Sequence, residues 1–207
     1  MIENKEILRL FPSLVFKAKF KDLSICDDIL QLVGQFKNLK NGSLTDYKFT
    51  TPDNLQDYPE FKSLTDVLIK ETGDVLDFYN IKRDSHYITG MWVHSTTSSH
   101  RHIEHMHPNN YLSGLLYLQT PSNCGNTIFI DPRAGASMIR PDFSEPNYFN
   151  QNTFIHKPEK GTLLIWNSWL PHMVDYASQD HDEDRIALAF NVMFKGEVTR
   201  PSERMLF

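Results

Sequence analysis

Apolar and polar positions follow two different periods along this chain, and the period changes near residue 85. Before that point, apolar residues recur at helical spacing in residues 23–33 and 59–79, which predicts two amphipathic helices. After it, short apolar runs alternate with turn residues, which is typical of antiparallel strands. The predicted strands are residues 86–94, 111–118, 126–130, 161–166 and 185–194.

The segments between these elements are less regular. Residues 7–20 alternate like a strand that Pro12 interrupts, and residues 38–58 are polar and predict a loop. Gly73 lies inside the second helical pattern, where we expect it to bend or divide the helix. Residues 131–158 are polar and contain several prolines. This segment is too long for a plain connection, so we expect a lid or a substrate-binding loop from residue 134 onward.

Two helices followed by many antiparallel strands predict an α+β fold that is mainly β, with a sandwich or barrel that holds the site. The chain of 207 residues is long enough to bury one core, and no linker or internal repeat divides it. We therefore expect a single domain over residues 1–207. Its N-terminal part, about residues 1–85, is expected to be helical, and its β core to span about residues 86–196.

The last predicted strand has one bulky face and one small face. Arg185 shares the small face with two alanines and Asn191, because side chains alternate along a strand. Such a face leaves room above the arginine, as in a barrel interior that receives a small anion. A buried guanidinium without a fixed anion would cost free energy. An ion pair with Asp182 or Asp184 is the alternative.

Three histidines flank two of the predicted strands. His105 and His107 precede the strand at residues 111–118, and His172 follows the strand at residues 161–166. Two histidines separated by one residue point to the same side of an extended strand. Imidazole is the commonest transition-metal ligand near neutral pH. The histidines therefore indicate a mononuclear metal site, with a surface histidine cluster as the alternative.

Composition narrows the class of protein further. A net charge of −5 without a basic run disfavours a nucleic-acid partner. No apolar run approaches the roughly 20 residues of a membrane helix, and the first residues lack the pattern of a signal peptide. Cys26 and Cys124 lie far apart and form no Cys-x-x-Cys motif. We therefore expect unpaired thiols, no membrane partner and a cytoplasmic location.

Five short motifs occur in a fixed order in the second half of the chain. They are His105-x-His107-Pro108, Leu112-Ser113-Gly114, Asp131-Pro132-Arg133, Trp169-Leu170-Pro171-His172 and Arg185-Ile186. With these motifs the chain resembles the iron(II)- and 2-oxoglutarate-dependent oxygenases, and most of all a group distantly akin to prolyl hydroxylases. The resemblance covers about residues 86–194. It implies a double-stranded β-helix, a cupin-like jelly roll, with N-terminal helices packed on one sheet.

The resemblance also implies roles for single residues. His105 takes the place of the first iron ligand and His172 that of the distal one. Arg185 takes the place of the residue that binds the far carboxylate of the small-molecule co-substrate, 2-oxoglutarate. Tyr117 stands where relatives place a tyrosine that contacts the same carboxylate. His107 stands where most of the family has an acidic residue, so the implied iron site has three neutral ligands.

The activity that the resemblance implies is hydroxylation of an unknown substrate, while 2-oxoglutarate is converted to succinate and CO₂. A peptide or prolyl residue is the substrate suggested by analogy alone, and a small molecule is equally compatible with the sequence.

A second histidine motif competes for the third metal ligand. The stretch His102-Ile103-Glu104 has the usual His-x-acid form of the family and would give two histidines and a carboxylate. In a regular strand, His102 and Glu104 face away from His105 and His107, so the two pairs exclude each other. The spacing to the next predicted strand favours His105 and His107.

Other interpretations stay open. A three-histidine cupin-type dioxygenase or isomerase that does not use 2-oxoglutarate is the alternative enzyme. A catalytically inactive jelly-roll binding module is the alternative without activity. Arg133 is either a substrate-binding residue or part of a turn that Asp131 caps. The three tryptophans are expected in the core, and a homodimer is an open option.

Overall fold

The structure, a computed structural model, describes residues 4–36, 49–178, 183–197, 199 and 202. These residues form two α-helices, α1 (Ser24–Val33) and α2 (Lys62–Phe78). Their strands are β1 (Val15–Lys19), β2 (Phe49–Thr50), β3 (Ser85–Thr96), β4 (His102–His105), β5 (Leu112–Gln119), β6 (Thr127–Ile130), β7 (Thr153–His156), β8 (Thr162–Asn167), β9 (His172–Val174) and β10 (Arg185–Lys195).

These strands form two antiparallel sheets. The major sheet has the order β1-β8-β5-β10-β3-β2, and the minor sheet has the order β4-β9-β6-β7. Phe129 of β6 packs against Trp166 of β8, and Tyr117 of β5 donates a hydrogen bond to Thr127 of β6. The two sheets therefore face each other, and their inner faces enclose the interior in which the site lies.

The main apolar core lies on the outer face of the major sheet. Because side chains alternate along β5, Leu112 and Leu116 face this core, whereas Leu115 and Tyr117 face the minor sheet. The helices bury residues at spacings of three and four, namely Cys26, Ile29 and Val33 of α1 and Leu64, Leu68 and Leu76 of α2. The helices therefore cover the outer face of the major sheet, and the site lies on its inner face.

Gly114 allows β5 and β10 to pair closely. It lies opposite Phe190, and a Cβ atom at residue 114 would lie 2.1 Å from Cζ of that ring. Phe190 is fully buried, so a larger residue at this position would have to displace a packed aromatic ring. The Ser-Gly part of the sequence motif therefore has a packing role.

The predicted mainly β architecture with two helices on one sheet is confirmed, but the N-terminal part is not only helical. β1 pairs with β8 and β2 pairs with β3, so two N-terminal strands extend the major sheet. Gly73 does not divide α2, which runs unbroken from Lys62 to Phe78. Its missing side chain instead makes room for the His86 ring, whose Cε1 would lie 3.2 Å from a Cβ atom there.

The long segment predicted as a loop, residues 131–158, contains the strand β7. This strand pairs only with β6 at the edge of the minor sheet, and two of its four residues are exposed. A short edge strand with exposed apolar side chains gives a weak period-two signal, which explains why the pattern predicted a loop. Residues 37–48 of the chain, which include most of the other predicted loop, lie outside the described residues.

Among the described residues, no helix is both long and apolar enough to cross a bilayer.

Candidate active site

Three histidine side chains meet where β4 and β9 run side by side. His105 ends β4 and lies opposite His172, which begins β9. His107 follows two residues later, and its backbone N–H donates to the carbonyl of Ser168 at 3.0 Å. One ring nitrogen from each histidine lies within 4.8 Å of the other two. The structure thus brings together the three residues that the sequence offered as metal ligands.

Backbone carbonyls orient two of these rings. Nδ1 of His105 lies 2.9 Å from the carbonyl of Ile103, and Nδ1 of His172 lies 3.0 Å from the carbonyl of Leu170. A carbonyl only accepts hydrogen bonds, so each Nδ1 carries the proton and each neutral ring presents an unprotonated Nε2. Nε2 of His172 lies 3.3 Å from Nε2 of His107. Two such lone pairs at this distance suit a shared cation.

Burial keeps these imidazoles neutral. Burial, with a smaller contribution from the neighbouring histidines, lowers the pKa of His172 to about 3 and the pKa of His107 to about 4. Burial also lowers the pKa of His105. The three rings are therefore uncharged near neutral pH, which is the form that binds a metal.

A β-bulge changes the expected orientation of His102. The register of β4 against β9 shifts between His102 and His105, which lie opposite Val174 and His172. Three residues of β4 therefore span the same length as two residues of β9. The prediction that His102 faces away from His105 is wrong, because their rings stack with centroids 3.9 Å apart.

Glu104, the competing third ligand, is exposed. Among the described residues, the group of histidine, cysteine and acidic side chains that could hold a metal consists of His105, His107 and His172. The geometry thus favours three neutral ligands over two histidines and a carboxylate.

Arg185 lies deep between the two sheets, with 1 % of its surface exposed. Its Nη2 donates to the hydroxyl of Thr127 at 3.3 Å, while Nε and Nη1 find no hydrogen-bond partner in the described part of the chain. No carboxylate among the described residues pairs with it: the side chain of Asp184 accepts a hydrogen bond from Ser95 instead. Asp182 lies outside the described residues. A buried guanidinium with two open donors is a site for an anion.

Tyr117 and Thr127 hold that arginine in place. The Tyr117 hydroxyl donates to the Thr127 hydroxyl at 2.7 Å, and the guanidinium carbon of Arg185 lies 5.3 Å from the centre of the Tyr117 ring. Thr127 therefore accepts from both side chains. Thr127 could not be predicted from the sequence, because it begins a short strand with no charged residue. Only the packing of the two sheets against each other brings it to Arg185.

The interior holds further side-chain donors without a hydrogen-bond partner. They are the ring nitrogen Nε2 of His156, Nε1 of Trp166 and the hydroxyl of Thr162. Trp166 contacts His172, with ring centroids 4.9 Å apart, so it borders the site rather than the main core where tryptophans were expected. His156 could not be placed from the sequence because its strand, β7, was predicted as a loop.

Arg133, the candidate substrate-binding residue, is bound locally. Its side chain donates twice to Asp131, from Nε at 2.9 Å and from Nη2 at 2.7 Å, and its backbone N–H donates to the same carboxylate at 3.0 Å. This geometry matches the alternative of a turn capped by Asp131.

Comparison with known proteins agrees with this geometry. The family model described as "Putative 2OG-Fe(II) oxygenase" matches residues 90–191, a range that includes the three histidines, Tyr117 and Arg185. A comparison with curated proteins gives no match.

Solved structures share the fold over most of the chain. A prolyl-4-hydroxylase from Pseudomonas putida has a TM-score of 0.62 at 11% identity, covering 89% of this chain and 94% of its own. The viral collagen prolyl hydroxylase of Paramecium Bursaria Chlorella virus-1 has a TM-score of 0.55 at 13% identity, covering 86% and 94%. HygX of Streptomyces hygroscopicus, solved with nickel and 2-oxoglutarate bound, has a TM-score of 0.54 at 13% identity, covering 87% and 82%. These likenesses show a double-stranded β-helix.

Two facing antiparallel sheets with a histidine cluster and a buried arginine between them define a metal-dependent oxidoreductase of the double-stranded β-helix class. Within that class, the family model that matches this chain over residues 90–191 is that of the 2-oxoglutarate- and iron(II)-dependent oxygenases. The sequence-based predictions of the family, the jelly roll, and iron(II) and 2-oxoglutarate as cofactors are confirmed.

Proposed function

We propose that this protein is a hydroxylase in which His105, His107 and His172 hold iron(II) and Arg185 anchors the far carboxylate of 2-oxoglutarate. When bound, the metal and the keto acid together supply the chemistry: dioxygen is reduced, 2-oxoglutarate becomes succinate and CO₂, and a C–H bond of the substrate becomes C–OH. The chain's own residues bind, orient and shield these groups.

The observation that carries this proposal is the pair of open donors on Arg185. Arg185 is 99% buried, and its Nε and Nη1 have no hydrogen-bond partner among the described residues. A carboxylate at this position would accept two parallel hydrogen bonds from the guanidinium fork. A cupin-type enzyme that does not use 2-oxoglutarate has no need of this arginine, so Arg185 favours the proposed function over that alternative.

The residues present also fit the metal. Three neutral imidazoles suit a first-row transition metal and leave it with its full double positive charge, which favours a dianionic ligand such as 2-oxoglutarate. Nδ1–H bonds to backbone carbonyls fix the ring orientation of His105 and His172. Apolar side chains of the interior, Leu115, Phe129, Leu164 and Leu170, surround the site and exclude water.

The substrate class is a separate proposal. Two of the similar structures are named as a prolyl-4-hydroxylase and a collagen prolyl hydroxylase, so peptides that contain proline are the first substrates to test. We also propose a cytoplasmic location, since both cysteines are free and buried.

The proposed function is tested by succinate release without any added substrate. The purified protein is supplied with iron(II), 2-oxoglutarate and dioxygen, and succinate is compared with a metal-free sample. Slow, metal-dependent release supports the proposal. Bound iron without succinate would favour the cupin-type enzyme, and the absence of both would favour a binding module.

A further inference from the structure

His156 is a buried histidine that neither the metal group nor the arginine uses. It ends β7, is 8 % exposed, and its Nε2 has no hydrogen-bond partner within residues 4–36, 49–178 and 183–197. A buried ring nitrogen without a partner costs free energy in the folded protein. Such a group is expected where a ligand completes the bonding.

Strand pairing directs His156 into the same interior as Arg185. His156 lies opposite Thr127 in the β6–β7 ladder, so both side chains point to the same face of the minor sheet. The Thr127 hydroxyl bonds Tyr117 and Arg185 on that face. The His156 ring also stacks on the Tyr117 ring, with centroids 5.8 Å apart and planes inclined by 29°.

The ladder also separates His156 from the metal group along the strand. On β6, Phe129 lies opposite His172, whereas Thr127 lies opposite His156. Two residues of a strand span about 6.6 Å, so His156 and Thr127 lie one step deeper than the three histidines. A short dicarboxylic keto acid held at the metal by one end would place its other carboxylate at this deeper level.

The imidazole of His156 can donate a hydrogen bond in its neutral form. Burial lowers the pKa of His156, Lys17 lowers it further, and Glu159 raises it. A neutral imidazole carries one N–H, and a carboxylate beside Nε2 selects the tautomer that has the proton there.

We propose that His156 binds the far carboxylate of 2-oxoglutarate through Nε2–H, together with Arg185. This inference rests on the proposed function, because that function supplies the carboxylate. It makes His156 a residue that selects dicarboxylic over monocarboxylic keto acids.

The test compares 2-oxoglutarate with 2-oxopentanoate, which has the same chain length and lacks the far carboxylate. Binding is measured by calorimetry on the zinc-loaded protein, in which no turnover occurs. The variants are His156→Phe, which keeps an aromatic ring on Tyr117, His156→Gln, which restores an N–H donor, and Arg185→Gln. His100→Gln is the control, since His100 is only half-buried and its Nδ1 hydrogen-bonds to the Thr97 hydroxyl in the turn after β3. Thermal unfolding shows that each variant is folded.

We expect His156→Phe to weaken 2-oxoglutarate binding about ten-fold or more and to change 2-oxopentanoate binding by less than about two-fold. His156→Gln should recover most of the preference for the dicarboxylate. An equal loss for both ligands in His156→Phe would mean that the residue only shapes the pocket, which overturns the inference.

The two proposals fail in different ways. If the parent prefers 2-oxoglutarate, Arg185→Gln loses that preference, and His156→Phe keeps it, the inference about His156 alone is overturned. If the parent and Arg185→Gln bind both keto acids alike, the carboxylate anchor itself is absent, and the proposed function fails together with the inference.

Discussion

The protonation of single imidazoles decides whether this site can hold a metal near neutral pH. His105 and His172 each use Nδ1–H on a backbone carbonyl, so the other nitrogen is free to bind. Burial lowers the pKa of all three rings, to about 4 for His107 and about 3 for His172, and metal binding therefore has few protons to displace at pH 7. The site is arranged for its ligand before the ligand arrives.

The assignment of the third ligand is tested by two single substitutions. His107→Ala should lose most bound iron, because it removes a ring nitrogen from the group, whereas Glu104→Ala should bind iron like the parent. The loss should exceed the roughly 10–100-fold change that follows when only a neighbour of a metal ligand is altered. Metal content after dialysis measures both. Iron retained in His107→Ala and lost in Glu104→Ala would restore the ordinary carboxylate-bearing site.

Arg185 is tested through the affinity for 2-oxoglutarate. Loss of a charge-assisted bond to a carboxylate costs about 1.5–3 kcal/mol, so Arg185→Ala should bind roughly 10- to 150-fold more weakly. Arg185→Lys should also be impaired, since an ammonium group cannot reproduce the planar fork. Arg133→Ala provides the control, because Arg133 is exposed and forms an ion pair with Asp131. Unchanged affinity in Arg185→Ala would place the anchor elsewhere.

At the scale of strands, alternation along the chain predicted only part of the site. The small inward face of β10 was visible in the sequence, because a long regular strand keeps its parity over its inner part. The side of β4 to which His102 points could not be predicted, because a bulge adds one residue to this strand and reverses the alternation beyond it. Thr127 and His156 escaped prediction because their roles depend on which strands pair, and β7 is too short to show a period.

Close strand pairing at Gly114 gives a prediction about stability. Gly114→Ala would place a methyl group against the Phe190 ring, and overpacking of this kind costs about 1–3 kcal/mol. For a protein of this size, that lowers Tm by about 2–4 °C per kcal/mol. Gly135→Ala, where no atom lies within 4 Å of the new Cβ, should leave Tm unchanged. Addition of Phe190→Leu should recover part of the loss; equal Tm values for the two alanine variants would contradict this account.

At the scale of the whole molecule, folding places neutral histidines and a charged arginine between two sheets. The folded protein thereby resists protonation of the interior, because each added charge would lie in a medium that solvates it poorly. The same interior is stabilised by any metal or anion that binds there and not to the unfolded chain. The free energy of unfolding and the affinity for ligands are thus coupled, because both depend on the interior between the two sheets.

This coupling predicts how the stability of the metal-free protein depends on pH. His107 and His172 have folded pKa values of about 4 and about 3, below the ordinary value of 6.5, so the unfolded chain binds more protons between these limits. Stability should therefore fall as the pH is lowered from 7 to 5, and below pH 6.5 the slope should approach about 1.4 kcal/mol per pH unit for each histidine that stays neutral when folded. Urea unfolding of the metal-free protein measures this slope. The slope should be smaller in His172→Gln than in the parent protein. Equal slopes in the two proteins would contradict the low pKa of His172.

Exposure decreases along the inward face of β10, from half-buried Ala189 to fully buried Ala187 and Arg185. The arginine therefore lies at the more buried end of this stretch, and a molecule seated above Ala189 would block the route to it. Turnover should follow a compulsory order in which the keto acid enters first and succinate leaves last. In steady-state kinetics, succinate should then be a competitive inhibitor with respect to 2-oxoglutarate. It should not be competitive with respect to the substrate that the enzyme hydroxylates.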